Sequence, residues 1–269
     1  MKKAIITIIV GVESMILGVM MLGLNVICDL PNSGMVNYEN SYFQTLRRVA
    51  SLCEIPEKYR SVVRRLNAVH SHSRRVAIGR ITEIIEQETD ERIKDILALK
   101  VAEKLFDPDY YDVRRRAISA LGEIVPLLTN EDVKREIALK LSEKLSDLSD
   151  IYGFIRKEAL SVLTRIVHFL SEESKEALAL NVAEKLSHSS WKVRWGAVAA
   201  LGEIIPLLTN EAVQEELCLR LSERLHDNSR FVYKKTVSVL SEKIIPSLTS
   251  RSIREELTLR LNEALSNTE

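Results

Sequence analysis

Catalysis in this chain would have to rest on its histidines, its cysteines or a nucleophile beside them. The histidines are His70, His72, His168, His188 and His226. Only His70-x-His72 sets two imidazoles close together, a weak metal signal that a solvated loop explains more simply. Cys28, Cys53 and Cys218 are odd in number and scattered, so they offer neither a zinc spacing nor a disulfide framework. Cys218 reads as a small buried apolar residue. No Gly-rich phosphate loop or zinc motif is present. Ser, Asp and His all occur, but nothing in their spacing brings them together. No residue therefore stands out as catalytic, cofactor-binding or metal-binding, and the chain is expected to be no enzyme and to need no cofactor.

Recognition has better carriers. Aromatic rings are scarce, with two Trp, seven Tyr and five Phe. Eight of them gather at Tyr110, Tyr111, Tyr152, Phe154, Trp191, Trp195, Phe231 and Tyr233, in clusters about forty residues apart. Tyr and Trp beside Arg dominate interface energetics. Tyr110, Tyr111, Tyr152, Trp191 and Phe231 are the candidates for a protein-binding rim. Trp195, Phe154 and Tyr233 read more readily as packing between neighbours. Charge supplies a second class. The formal net charge is zero, yet residues 41–80 hold nine Lys/Arg against two acids, while residues 81–269 hold 27 against 33. Arg47, Arg48, Arg60, Arg64, Arg65, Arg74 and Arg75 are candidate contacts for a polyanion, either nucleic acid or anionic lipid.

The elements that must position these residues are announced by a repeated phrase. Residues 121–130 read LGEIVPLLTN and residues 201–210 read LGEIIPLLTN. A slide of forty residues lays Ala117, Leu121, Glu123 and Ile124 on Ala77, Ile81, Glu83 and Ile84, and Ile204, Ile205, Pro206 and Leu208 on Ile244, Ile245, Pro246 and Leu248. A looser copy, with two extra residues in its first half, contains Ile155, Ala159, Leu163 and Ile166. About five units fill residues 73–269, and such a period is the signature of a repeat architecture.

Within residues 113–145, Val113, Ala117, Ile118, Leu121, Ile124, Val125 and Leu128 form one helical face, and Val133, Ile137, Leu141 and Leu145 form a second. Each unit is thus a helical hairpin. A hydroxyl N-cap is expected for the second helix at Thr89, Thr129, Ser171, Thr209 and Thr249. Pro126, Pro206 and Pro246 fall late in the first helix and should bend it. Glu136–Lys140, Glu216–Arg220 and Glu256–Arg260 are i,i+4 pairs with the acid first. Glu103, Glu143, Glu184, Glu223 and Glu263 share one repeat position. They form either a solvated mixed-charge face or an acidic track for a basic partner.

On these residues the chain resembles the HEAT-repeat family of α-solenoids. The paired helices, the period, Val113-Arg114 and Val193-Arg194 opening the first helix, the proline within it, and the basic Lys140, Arg220 and Arg260 in the second helix carry the resemblance. It covers about three-quarters of the chain and implies an all-α, right-handed solenoid of about five hairpins whose surface binds proteins. It also implies an Asp at the start of the second helix, pairing with that basic residue to form a ladder between repeats. Lys134, Gln214 and Arg254 stand there instead, and the Glu–Lys/Arg pairs are expected to take part of its role. The His-Glu pairs that hold iron in HEAT-like hydroxylases are missing. Trp191 and Trp195 resemble the aromatic pocket of HEAT-like alkylpurine DNA glycosylases, a distant alternative.

The remaining chain divides into an apolar segment at 1–30, a linker at 31–40 around Pro31-Asn32-Ser33-Gly34, and a basic, divergent cap of two helices at 41–72 ahead of the array at 73–269. The run 4–28 is long enough for one membrane span, since about twenty residues suffice. A cleaved signal peptide is one competing reading, and a buried helix or a mis-called start is another. Glu13, Ser14 and Gly18 would let that helix associate with another. The expectation is a single-pass membrane protein with the repeats on the cytoplasmic side. It acts as a non-catalytic scaffold for a protein partner, and nucleic-acid or lipid binding through 41–80 is the alternative.

Overall fold

A computed structural model describes residues 55–147 and 153–266. From Ile55 onward these residues belong to one compact unit. After α1 (Glu57–Arg65) the helices come in pairs: α2 (Ser71–Gln87) with α3 (Glu91–Ala102), α4 (Tyr111–Ile124) with α5 (Glu131–Glu143), and α6 (Phe154–Ile166) with α7 (Glu172–Glu184). The pairs α8 (Trp191–Ile204) with α9 (Glu211–Ser222) and α10 (Arg230–Val239) with α11 (Arg251–Ser266) follow. No strand occurs among the described residues.

First helices pack on first helices in the order α2, α4, α6, α8, α10, and second helices on second helices in the order α3, α5, α7, α9, α11. Between the two rows runs one apolar core from Ile55 to Ala264. Ile118, Leu121 and Ile124 of α4 and Ile137 and Leu141 of α5 are fully buried in it, each stabilising the fold by roughly 1.5–3 kcal/mol. The repeated phrase is explained here. Gly202 lies so close to α10 that a Cβ would stand 2.7 Å from Val239 Cγ1. Leu121 and Leu201 are core, and Asn130 and Asn210 cap the next helix. Cys218 lies in the same core, where burial, together with Glu215, pushes its thiol up to about 12.

The prolines act differently from expectation. Pro126 and Pro206 sit inside the 3-10 turns Val125–Leu127 and Ile205–Leu207, so they end the first helix rather than bend it. The same turn forms at Val167–Phe169 without any proline, so the proline favours it and is not required for it. The last unit adds a π turn at Leu240–Ile244. Its first-helix N-cap, Ser229, follows Ser190 by 39 residues, whereas Pro246 follows Pro206 by 40. The π turn absorbs the extra residue and keeps Val232 and Leu240 in the core alongside Val193 and Leu201.

The caps are also corrected. Asp90, Asn130 and Asn210 accept the orphan amides of α3, α5 and α9. Thr89 donates its amide to the adjacent Glu88 at 2.9 Å, and Thr129, Thr209 and Thr249 reach the preceding unit instead. Thr129 Oγ1 donates to Glu91 at 2.8 Å and Thr249 Oγ1 to Glu211 at 2.9 Å, while the amide of Thr209 donates to Glu172. Ser171 does both jobs, capping α7 with its Oγ and donating its amide to Glu131 at 2.9 Å.

The expected role for the Glu–Lys/Arg pairs is met at one point. The ion pairs close within one helix, at 3.4, 3.5 and 2.7 Å, and of the three bases Arg260 also reaches the preceding unit, donating to Ser222 Oγ at 3.1 Å. The buried crossing ion pairs start from the first helix, while at the surface Arg135 of α5 meets Glu173 of α7 at 3.2 Å. Arg74 meets Asp107 at 2.7 Å, and Arg194 meets Asp227 at 2.7 Å through two nitrogens. Arg194 and Asp227 are 9% and 2% exposed.

The membrane placement is likewise corrected. No helix among the described residues is long and apolar enough to cross a membrane. The described helices are short and amphipathic because each turns one side to the core. The run 4–28, with Glu13, Ser14 and Gly18, lies outside the described residues, as do the first cap helix and the proposed linker. Of the second cap helix, Val63 and Leu66 are buried, with Tyr59 and Val62 against the same core.

Two outcomes follow from this packing. Asp227→Asn leaves Arg194 buried without its counter-charge and should cost about 3 kcal/mol in chemical denaturation, whereas Glu256→Gln, an exposed pair within one helix, should change stability by about 0.5 kcal/mol or less. Acid should also loosen the array. The Tyr59 hydroxyl and the amides of Asp90 and Thr89 hold Glu88 at about 2. Lys94 and Thr129 hold Glu91 below its usual value, and at Glu131 the contacts to Lys134 and Ser171 outweigh burial with the same result. Depressed carboxylates stabilise the fold fully above 4.5, and that contribution is lost as pH falls toward 2. Asp95, pushed up by burial, runs the other way and offsets part of the loss. A thermal midpoint that does not fall between pH 5 and pH 2, as expected for about that window, would contradict this account.

Candidate functional site

The first helices α6, α8 and α10 leave a recess between them. Its deeper part, about 320 Å³, is lined by Gly153, Arg156, Leu160, Trp191, Trp195 and Phe231, with Lys157 and Lys192 at the edge. A second part of about 260 Å³ shares Lys157, Leu160 and Trp195 and extends to Lys235 and Glu203. The two form one groove across three consecutive units.

Its form follows from local sequence. Trp191 is the first residue of α8 and Phe231 the second of α10, so both rings stand where the helix start exposes them. They stack on each other, with centroids 4.9 Å apart and planes at 21°, while 38% and 63% exposed. Trp195, one turn further along α8, is half-buried against the core, and Lys235 lies 5.7 Å over its ring. Gly196 and Ala199 keep this side of α8 low, and a Cβ at Gly196 would meet nothing within 4 Å. At the other wall Gly153 caps α6 with a φ of 71°, a left-handed conformation that favours glycine. A Cβ there would stand 2.6 Å from Arg156 Nη2.

The charge of the groove is one-sided. Arg156, Lys157, Lys192 and Lys235 line it, and among the described residues none of them forms an ion pair with a carboxylate. The acid at its far end, Glu203, is held by Lys243. Large apolar rings beside unpaired cations suit a ligand that is both apolar and anionic.

The residues singled out from sequence divide. Trp191 and Phe231 meet in the groove. Tyr110 and Tyr111 are half-buried against the core, and the Tyr110 hydroxyl donates to the Val69 carbonyl at 3.2 Å under the Arg74 guanidinium. Tyr152 lies outside the described residues. Phe154, expected to pack, is 53% exposed beside Gly153, whereas Trp195 and Tyr233 are half-buried. In the basic segment Arg60 donates to the Ile55 carbonyl at 3.0 Å, Arg74 pairs with Asp107, and Arg75 lies 3.6 Å from Asp112. Arg64 and Arg65 stand exposed in the last turn of α1, and Arg47 and Arg48 lie outside the described residues. Glu103, Glu143, Glu184, Glu223 and Glu263 are all exposed, with Lys100 on Glu103 and Arg224 near Glu223. Lys157, Lys192 and Lys235 went unnoticed in the sequence. Their signal was position, since each falls in the first half of a first helix in consecutive units.

Truncation of the exposed stack should spare the fold. Trp191→Ala and Phe231→Ala are each expected to lower stability by about 1 kcal/mol or less, and Trp195→Ala by distinctly more, in parallel thermal unfolding.

No family model matches the chain, and no curated protein matches it in sequence. Solved structures do. The TOG domain of human Cep104 superposes with a TM-score of 0.53 at 14% identity, over 84% of this chain and 96% of that one. TOG3 of Drosophila melanogaster Mini spindles gives 0.52 at 12% identity, over 75% and 92%. At such identities the likeness is one of fold. The chain folds as a HEAT-like array of helical hairpins.

Proposed function

We propose that this chain is a non-catalytic repeat scaffold whose protein partner docks on the first-helix groove of units three to five. The observation that carries the reading is the Trp191–Phe231 stack. Two large rings face solvent and each other. Exposed apolar area of this kind, rimmed by polar residues, marks an interaction site. The fold supports the same reading, because stacked repeats offer an extended surface that neighbouring units build together.

Binding of nucleic acid or anionic lipid through residues 41–80 is the second reading. Its described arginines are largely committed, with Arg60, Arg74 and Arg75 held by a carbonyl or carboxylates, which leaves Arg64 and Arg65. The polyanion reading is the weaker for it.

The test is a crosslinked pull-down of the full chain from its native cells, with nuclease and in high salt, using wild type beside Trp191→Ala/Phe231→Ala. A stoichiometric protein recovered by the wild type and lost in the variant supports the groove. Recovery that persists in the variant but fails in Arg64→Glu/Arg65→Glu would move the site to the basic segment.

A further inference from the structure

We propose that the groove takes an acidic segment of the partner protein, and that a partner carboxylate pairs with Arg156 where the chain's own ladder of acids is interrupted. The proposal rests on the groove reading above and adds the chemistry of what fills it.

The second helices α3, α5, α7 and α9 each end in a 3-10 turn, and the residue that closes the turn is Asp107, Asp147, His188 or Asp227 in successive units. The four occupy one structural position, and Asp107, His188 and Asp227 share one local task. Asp107 accepts the amide of Tyr110 at 3.1 Å, Asp227 that of Ser229 at 2.9 Å, and His188 Nδ1 that of Ser190 at 3.0 Å. The acids have oxygen capacity left over. Asp107 receives Arg74 and Asp227 receives Arg194 from the preceding first helix. Asp147 sits 3.6 Å from Lys144. An imidazole has one acceptor nitrogen, and in His188 the turn has used it.

Arg156 stands in the place of Arg74 and Arg194 on its own helix. Like Arg194, it donates to a carbonyl of the loop before it, that of Asp147. Across the junction, where Arg74 and Arg194 find a carboxylate, it meets a unit closed by His188. That junction is the one at which the recess opens, and Arg156 lines it with Trp191 and Phe231. Lys157, Lys192 and Lys235 add charge of the same sign along the groove. A guanidinium binds a carboxylate through two parallel hydrogen bonds, a geometry the chain already uses at Arg194–Asp227. Charge complementarity thus selects an acidic segment, and the aromatic stack selects an apolar or aromatic residue within it.

The experiment uses the full chain and two dye-labelled synthetic peptides, glutamates around a central phenylalanine and the same peptide with glutamines, read by fluorescence anisotropy. The glutamate peptide should bind about tenfold tighter or more. His188→Asp supplies the missing acid from within. It should weaken the glutamate peptide by a similar factor without lowering the thermal midpoint, and Arg156→Gln should weaken it as well. Equal affinity for both peptides would overturn the acidic occupant, and undiminished binding by His188→Asp would overturn the pairing at Arg156. A labelled oligothymidylate that binds the groove in preference to the peptide would overturn a protein occupant. If the glutamate peptide fails to bind while Trp191→Ala/Phe231→Ala still loses the captured protein, the groove stands and its chemistry is wrong. If that variant keeps the protein, the groove reading falls with it.

Discussion

Everything in this array follows from the inability of one hairpin to bury itself. A first helix such as α4 carries apolar residues toward its own partner and toward both neighbours, so its core exists only when units stack. The polar contacts that cross between units then decide how they stack. Two sets are used. Carboxylates at the start of the second helices, Glu91, Glu131, Glu172 and Glu211, receive donors from the next turn. Arginines at the start of the first helices receive acids from the next junction. The exposed first set adds little energy. The second is buried and charged, so its value is largely geometric, because a misplaced unit would leave a desolvated ion unpaired.

The groove lies where the second set lapses. Closing the turn with His188 keeps the local fold, since Nδ1 does for Ser190 what an aspartate oxygen does for Tyr110. What changes is outside the turn, where a cation, two stacked rings and three lysines share one opening. The junctions closed by Asp107 and Asp227 carry an arginine–aspartate pair, and among the described residues Arg156 has no such partner at the one closed by His188.

The hairpins, their period and their buried faces were legible in the sequence because apolar spacing alone determines them. The arginine–aspartate pairs were not, since Arg194 and Asp227 are 33 residues apart and only the stacked array brings them together. The threonines were visible as a recurrence and misassigned, because Asn130 and Asn210 one residue later make the better caps. Trp191 as a rim candidate and Trp195 as packing were already separable in the sequence, and one begins the helix and faces out while the other lies a turn inside. Phe154 was taken for packing, and its exposure follows from its place beside Gly153 at the start of α6. Lys157, Lys192 and Lys235 are ordinary in sequence and become a group only through the order of the first helices.

The π turn has a further consequence. It lets the first helix of the last unit carry one residue more than its neighbour, so the start of the unit keeps a spacing of 39 residues while Pro246 returns to 40. Ahead of the turn, Val232 and Leu240 answer Val193 and Leu201 in the core, and Phe231, in the same register, occupies the place that Lys192 holds one unit earlier, with its ring against Trp191. The units are therefore not interchangeable parts. A copy of the fourth unit set in place of the fifth would preserve the core and put a lysine against the indole. The individuality of this repeat protein lies in its surface residues, carried on a core that the π turn keeps in step.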